Sequence, residues 1–189
     1  GLDGVPLSLC RERGIAVSWT PDAVTMAVAE FTIGLILNLT RNITFEDKEI
    51  RAGNWLRPMG PRIGGSVIGI LGLGRIGFNV ARLLTIFSPV EGLVCDIAEK
   101  SASIERLRNQ GLNVRQVDFT ELLARSTILS LHVPLTKKTR YLVGSSELSS
   151  MPDGAFLVNT ARGGIINEEA LHQCLVEGKI HAAAIDVFE

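Results

Sequence analysis

The sequence predicts an α/β domain, a doubly wound parallel sheet with helices on both faces, preceded by a short remnant of a second domain. Three observations lead there. Short apolar runs rich in β-branched residues alternate with stretches of helical period, the sign of successive βαβ units. A glycine-rich turn joins the first clear strand to the helix after it. The mean hydropathy of +0.27 suits strands buried on both faces better than half-exposed ones. A length of 189 residues accommodates one such domain plus a stub, and two full domains would be cramped.

Taken in order, the first twenty residues read as a short helix stopping at Gly14 and a strand over 15–19. They mark residues 1–20 as the remnant and its hinge, leaving 21–189 as the main domain. Thr20, Pro21 and Asp22 make a helix start with proline at the first position, opening a long apolar helix over 22–41. Within it Ala27, Phe31, Leu35 and Leu39 recur at helical spacing, while Met26, Ile33, Ile36 and Leu37 make other sides apolar too. Core packing alone and a subunit contact both remain open for that surface. Strands follow at 66–71, 93–95, 127–131, 155–158 and 180–185, with helices at 76–87, 102–109, 119–124 and 168–177. Gly111 and Gly178 stand where helix stops belong. Five or six strands are expected in one sheet.

Composition removes several classes. A net charge of −1 with no long basic run lacks the footprint for nucleic acid or an anionic membrane. The longest apolar stretch, 26–39, is broken by Glu30 and falls short of the roughly 20 residues that span a bilayer. No charged leader with an apolar run opens the sequence, so a cytoplasmic protein is expected. Cys10, Cys95 and Cys174 are odd in number, far apart and without metal or redox spacing, and read as buried free thiols with no metal site.

The strand at 66–71 runs directly into Gly72-Leu73-Gly74-Arg75-Ile76-Gly77, and helical spacing follows. Alone this glycine pattern is a weak signal; a strand before it and a helix after it make it specific. Gly72 permits a tight turn, Gly74 lets backbone approach a pyrophosphate, and Gly77 lets helix and strand pack closely. The helix start then offers unpaired N–H groups and a positive dipole end to phosphates. Asp96 follows the next strand 19 residues after Gly77, where a carboxylate accepts from the adenosine ribose hydroxyls. That placement favours NAD, because the same carboxylate repels a 2′-phosphate, and the nearest basic residue after it is Lys100. The expected fold is therefore Rossmann-type.

Three more segments narrow the class: Leu131-His132-Val133-Pro134-Leu135-Thr136 with Thr139-Arg140, Val158-Asn159-Thr160-Ala161-Arg162-Gly163-Gly164, and Ala184-Ile185-Asp186-Val187-Phe188-Glu189. With the glycine loop, over nearly the whole chain, they resemble the D-isomer-specific 2-hydroxyacid dehydrogenases, specifically their cofactor domain. That family includes phosphoglycerate dehydrogenase, D-lactate dehydrogenase and glyoxylate or hydroxypyruvate reductases. The resemblance implies hydride transfer between NAD(H) and a small 2-hydroxy or 2-oxo acid, in a cleft facing a substrate domain whose tail residues 1–19 resemble. It also implies a homodimer formed through the cofactor domain.

Residue by residue, Arg162 matches the catalytic arginine that holds the substrate carboxylate and 2-oxo group, a task suited to a planar guanidinium fork. Asp186 matches the acidic residue at the nicotinamide carboxamide. His132, Val133 and Pro134 match the stretch passing the nicotinamide ribose, and Thr139 matches a later contact with the same half. Arg75 and Ile76 go with the glycine loop, Thr160 and Ala161 with the turn before Arg162. His132 is read as a wall of the cofactor site, because the family's catalytic histidine lies well after Asp186. His172 and His181 are read as structural. The family's proton relay pairs a glutamate at what would be position 191 with a later histidine, so the 189 residues are expected to bind cofactor but turn over little substrate. Two rivals stand beside this reading: a non-catalytic NAD-responsive regulatory module, and a formate or phosphonate dehydrogenase.

Overall fold

The computed structural model describes residues 2 and 4–189. Among them, six strands form one sheet: β1 (Val67–Leu71), β2 (Glu91–Cys95), β3 (Val114–Gln116), β4 (Ile128–Leu131), β5 (Ala155–Asn159) and β6 (Ile180–Ile185). The order is β3-β2-β1-β4-β5-β6, with every neighbouring pair parallel. The chain starts in the middle, winds out to β3, and returns beside β1 to wind the other way. The topological switch point therefore lies between β1 and β4, where α/β sheets open a crevice for ligands.

Parallel pairing requires crossovers, here mostly helical. They are α4 (Arg75–Leu84), α5 (Ser101–Arg108), α6 (Phe119–Arg125), α7 (Ser145–Ser150) and α8 (Glu168–Val176). Before the sheet come α1 (Leu7–Glu12), α2 (Thr25–Thr40) and α3 (Ile43–Arg51). Two-residue alternation divides the strands between two cores. Ile68, Ile70, Val94, Ile128 and Val158 face the layer of α2, α4 and α5. Leu71, Leu93, Leu129, Leu131 and Leu157 face that of α6, α7 and α8. Every residue of β4 and β5 is buried, as central strands covered on both faces require. Helix starts are set locally: an Asp118 carboxylate oxygen accepts from the Glu121 N–H at 2.8 Å, and the Asn167 amide oxygen from the Ala170 N–H at 3.0 Å.

Several expectations need correction. Residues 15–19 form no strand and pair with none of the six, so β-branched composition alone was not enough. Gly1 and Asp3, part of the expected remnant, lie outside the described residues. The long helix begins at Thr25 rather than near Pro21, because residues 21–24 close into turns first, with the Thr25 N–H on the Asp22 carbonyl at 3.2 Å. Its buried side is Thr25, Ala29, Thr32, Ile36 and Thr40, whereas Ala27 and Phe31 are exposed. Small residues on that side let α2 pack closely on α4, β5 and β6. Of the thiols only Cys174 is fully buried; Cys10 and Cys95 are half-buried. Strand β3 and helix α7 are too short to show a period, and α3, which buries none of its residues, was not anticipated. No helix among the described residues is long and apolar enough to cross a membrane.

Candidate active site

The residues singled out from the sequence gather along the carboxyl edge of the sheet. Leu71 ends β1, and Gly72 turns the chain at φ +94°, a conformation side chains resist. Its N–H donates to the Cys95 carbonyl at 2.8 Å, and a Cβ there would meet the His132 carbonyl oxygen at 2.8 Å. Gly72 is thus wedged between the ends of β2 and β4, at the switch point. Gly74 caps α4 in extended conformation with no side-chain cap, so the first N–H groups of that helix lack a side-chain acceptor. A Cβ on Gly77 would come within 2.1 Å of the Gly72 carbonyl oxygen, so the glycine is what lets helix and turn touch. Ile76 packs against the core beneath α4, and Arg75 reaches back to Asp22, Nε to Oδ1 3.0 Å, in an exposed pair.

Asp96 follows β2 and braces this loop. Its Oδ2 accepts from the Leu73 N–H at 2.8 Å and its Oδ1 from the Ala98 N–H at 3.0 Å, with Lys100 Nζ 3.5 Å from Oδ2. Each carboxylate oxygen retains a lone pair for a further donor. Beside the loop a basic hollow of about 550 Å³ opens among Asp22, Gly74, Arg75, Phe78, Arg82 and Arg106. The Arg106 guanidinium lies 4.6 Å from the centre of the Phe78 ring. Arg75 was expected beside the glycine loop; Arg82 and Arg106 were not anticipated, since only their placement on two helices brings them together.

On the other side of the switch point, His132 follows β4 with Nε2 2.9 Å from Ser130 Oγ. Burial lowers its pKa to about 4, so the imidazole is neutral at physiological pH. Val133 packs against the second core, and the chain then loops through Pro134. Thr139 closes that loop: its hydroxyl donates to the Pro134 carbonyl at 2.6 Å and accepts from the Thr136 N–H at 2.7 Å. The hydroxyl matched to a cofactor contact is therefore engaged in shaping the loop.

Beyond β5 the Asn159 side chain folds the next turn over itself, its oxygen accepting from the Ala161 N–H at 3.0 Å and its amide donating to the Arg162 carbonyl at 2.9 Å. Sequence reasoning missed this role, although asparagine before a turn is its usual signal. Thr160 is buried with its hydroxyl 2.9 Å from that of Thr32 on α2. Arg162 is half-buried, Nη1 donating to the Ala161 carbonyl at 2.6 Å. Asp186 lies one residue past β6 with its carboxylate exposed and its N–H on the Asn159 carbonyl at 3.0 Å. Gly163 admits the backbone of Phe188, whose carbonyl oxygen would sit 2.0 Å from a Cβ there. Glycine loop, acidic brace, arginine turn and exposed aspartate thus share one edge.

Comparison with known proteins decides the class. A family model described as "D-isomer specific 2-hydroxyacid dehydrogenase, NAD binding domain" matches residues 33–189. The chain belongs to this family. What is described above is its NAD-binding domain, and the glycine cradle with Asp96 fits that cofactor. A glyoxylate reductase of Thermofilum pendens is 44% identical over 195 residues, covering 100% of this chain and 56% of that protein. A glyoxylate reductase structure from Paecilomyes thermophila superposes with a TM-score of 0.88 at 36% identity, covering 100% of this chain and 56% of the other. A D-lactate dehydrogenase of Aquifex aeolicus, complexed with NAD and lactic acid, gives a TM-score of 0.88 at 31% identity with the same coverage. The chain spans about half the length of most of the curated relatives it matches.

Proposed function

We propose that this chain is the cofactor half of an enzyme that moves a hydride between NAD(H) and a small D-2-hydroxy acid or its 2-oxo acid. The observation that carries the reading is the Arg162 turn held on the same sheet edge as the glycine cradle. A cofactor-binding module without chemistry has no need of a guanidinium fork next to the nicotinamide end. NAD(H), when bound, supplies the hydride acceptor or donor.

The chain's residues divide the remaining work. Gly72, Gly74 and Gly77 let backbone amides at Arg75 and Ile76 approach the pyrophosphate at the start of α4. Asp96 accepts from the adenosine ribose. His132, Val133 and Pro134 wall the nicotinamide ribose, with Thr139 fixing the loop behind them. Thr160, Ala161 and Asp186 hold the carboxamide, and orienting the ring in this way is worth rate because hydride transfer is geometrically strict. Arg162 binds the substrate carboxylate and 2-oxo oxygen and stabilises negative charge building on that oxygen.

Residues 1–20 belong to a substrate domain in this reading, supported by α1, which buries none of its residues. Exposed Val24, Met26, Phe31, Ile43 and Phe45 along α2 and α3 support a homodimer through this domain. A cytoplasmic setting fits the free thiols Cys10, Cys95 and Cys174. Isothermal calorimetry with NADH on the folded chain tests the cofactor reading, and saturable binding is expected. In an active longer chain, Arg162→Gln is expected to lower kcat/KM for glyoxylate by about 10²-fold or more while NADH affinity holds. Undiminished turnover would sink the substrate role.

A further inference from the structure

We infer that Thr32, on helix α2 and far from the glycine loop in sequence, is a positioning residue for the nicotinamide half of the site. The inference rests on the cofactor reading above and acts through Thr160. Thr32 is fully buried and Thr160 nearly so, and their hydroxyl oxygens are 2.9 Å apart across 128 residues of sequence. Thr32 Oγ1 also lies 2.8 Å from the Val28 carbonyl oxygen, to which it donates.

These two contacts fix the direction of both protons. A carbonyl oxygen can only accept, and a hydroxyl has one proton to give. The Thr32 proton goes to Val28, so the Thr160 hydroxyl must donate to Thr32. What Thr160 Oγ1 has left is its two lone pairs. With its proton engaged, the Thr160 hydroxyl can offer a ligand only an acceptor. Strand order sets what meets it. Asp96 and the glycine loop take the adenosine and pyrophosphate over β2 and β1, which leaves the other end of the dinucleotide over β4, β5 and β6. Thr160 directly follows β5, two residues before Arg162, and its neighbour Asn159 accepts from the Asp186 N–H at 3.0 Å. The group arriving there carries donors: the carboxamide NH₂ and the hydroxyls of its ribose.

Thr32 thus acts on the cofactor without touching it, by holding Thr160 in the acceptor state and in one rotamer. Removing the hydroxyl from Thr32 frees the Thr160 proton to turn toward the ligand, where it opposes the carboxamide donor. The loss should be confined to ligands that possess a nicotinamide.

The test compares NADH with ADP-ribose, which lacks the nicotinamide, by calorimetry on the wild-type chain, Thr32→Val, Thr32→Ser and Thr160→Val. Thr32→Val is expected to weaken NADH about tenfold, the scale of one hydrogen bond, and to leave ADP-ribose within about twofold. Thr32→Ser keeps the hydroxyl and should restore NADH to within about twofold of wild type. Thr160→Val removes both that bond and the acceptor offered to the ligand and should show at least the same split, while Thr32→Ala decides the matter if Thr32→Val does not fold. Adding Thr32→Val to Thr160→Val should cost nothing more, since one bond cannot be lost twice. Equal weakening of both ligands would reduce Thr32 to a packing residue and overturn the inference, as would unchanged NADH affinity or failure of serine to rescue. If wild type binds both ligands, any of these sinks the inference alone; if it binds neither, the cofactor reading falls as well.

Discussion

The two halves of the cofactor edge are built in different ways. On the adenosine side the working parts are backbone: Gly72 at φ +94°, Gly77 in contact with the Gly72 carbonyl, and a single carboxylate, Asp96, bonded to the Leu73 N–H at 2.8 Å. All of it lies within one βαβ unit. On the nicotinamide side the parts are side chains steadied from a distance, Thr160 by Thr32 on α2 and the Arg162 turn by Asn159 and the close passage of Phe188 past Gly163. A backbone cradle tolerates almost no added atom, whereas a side-chain constellation degrades bond by bond.

The largest effect is therefore expected in the cradle. Gly77→Ala places a methyl 2.1 Å from the Gly72 carbonyl oxygen, backbone that cannot swing aside. Destabilisation of about 1–3 kcal/mol is expected in a thermal melt. NADH and ADP-ribose should be lost together, and retention of either would show that the two halves are less distinct than their construction suggests. Next, Asp96→Ala removes both the brace on Leu73 and the proposed ribose acceptor. A loss of about 10–100-fold for NADH and ADP-ribose alike is expected, two hydrogen bonds to a charged group, with weaker discrimination against NADPH. A loss seen for NADH alone would contradict the division of labour.

The smallest effect concerns pH. Burial lowers the folded-state pKa of His132 to about 4, against 6.5 for the free side chain. The fold prefers the neutral ring, so the full stability is present above pH 6.5 and is lost as pH falls through the window from 6.5 to 4. With the ring only part-buried at the surface of the site, roughly 1–3 kcal/mol is at stake. Denaturant titrations from pH 7 to 4 should show this slope flattened in His132→Gln. An NMR titration midpoint near 6.5 would remove the cause.

How much was legible follows the same division. The strand, Gly72-Leu73-Gly74-Arg75-Ile76-Gly77, helix and Asp96 could be read because their spacing in sequence is their spacing in space. Arg162 and Asp186 were reached through resemblance to a family, and their surroundings were not. Asn159 was visible as a residue, but its closure of the turn depends on where β5 ends. The buried face of α2 was left open because Phe31 and Leu35 repeat as convincingly as Ala29, Thr32 and Ile36, and only the partner surface chooses between stripes. The stretch 15–19 was misread as a strand because β-branched composition does not say whether a neighbouring strand will pair with it.

By itself the sequence determined the α/β class, the order of most strands and helices, and the glycine turn after β1, because each depends on local periodicity or on the steric needs of glycine. The tertiary structure decided which side of α2 is buried, the neutrality of His132, and the pairing of Thr32 with Thr160. Those depend on burial and on contacts between residues far apart along the chain, and neither quantity exists until the sheet has assembled.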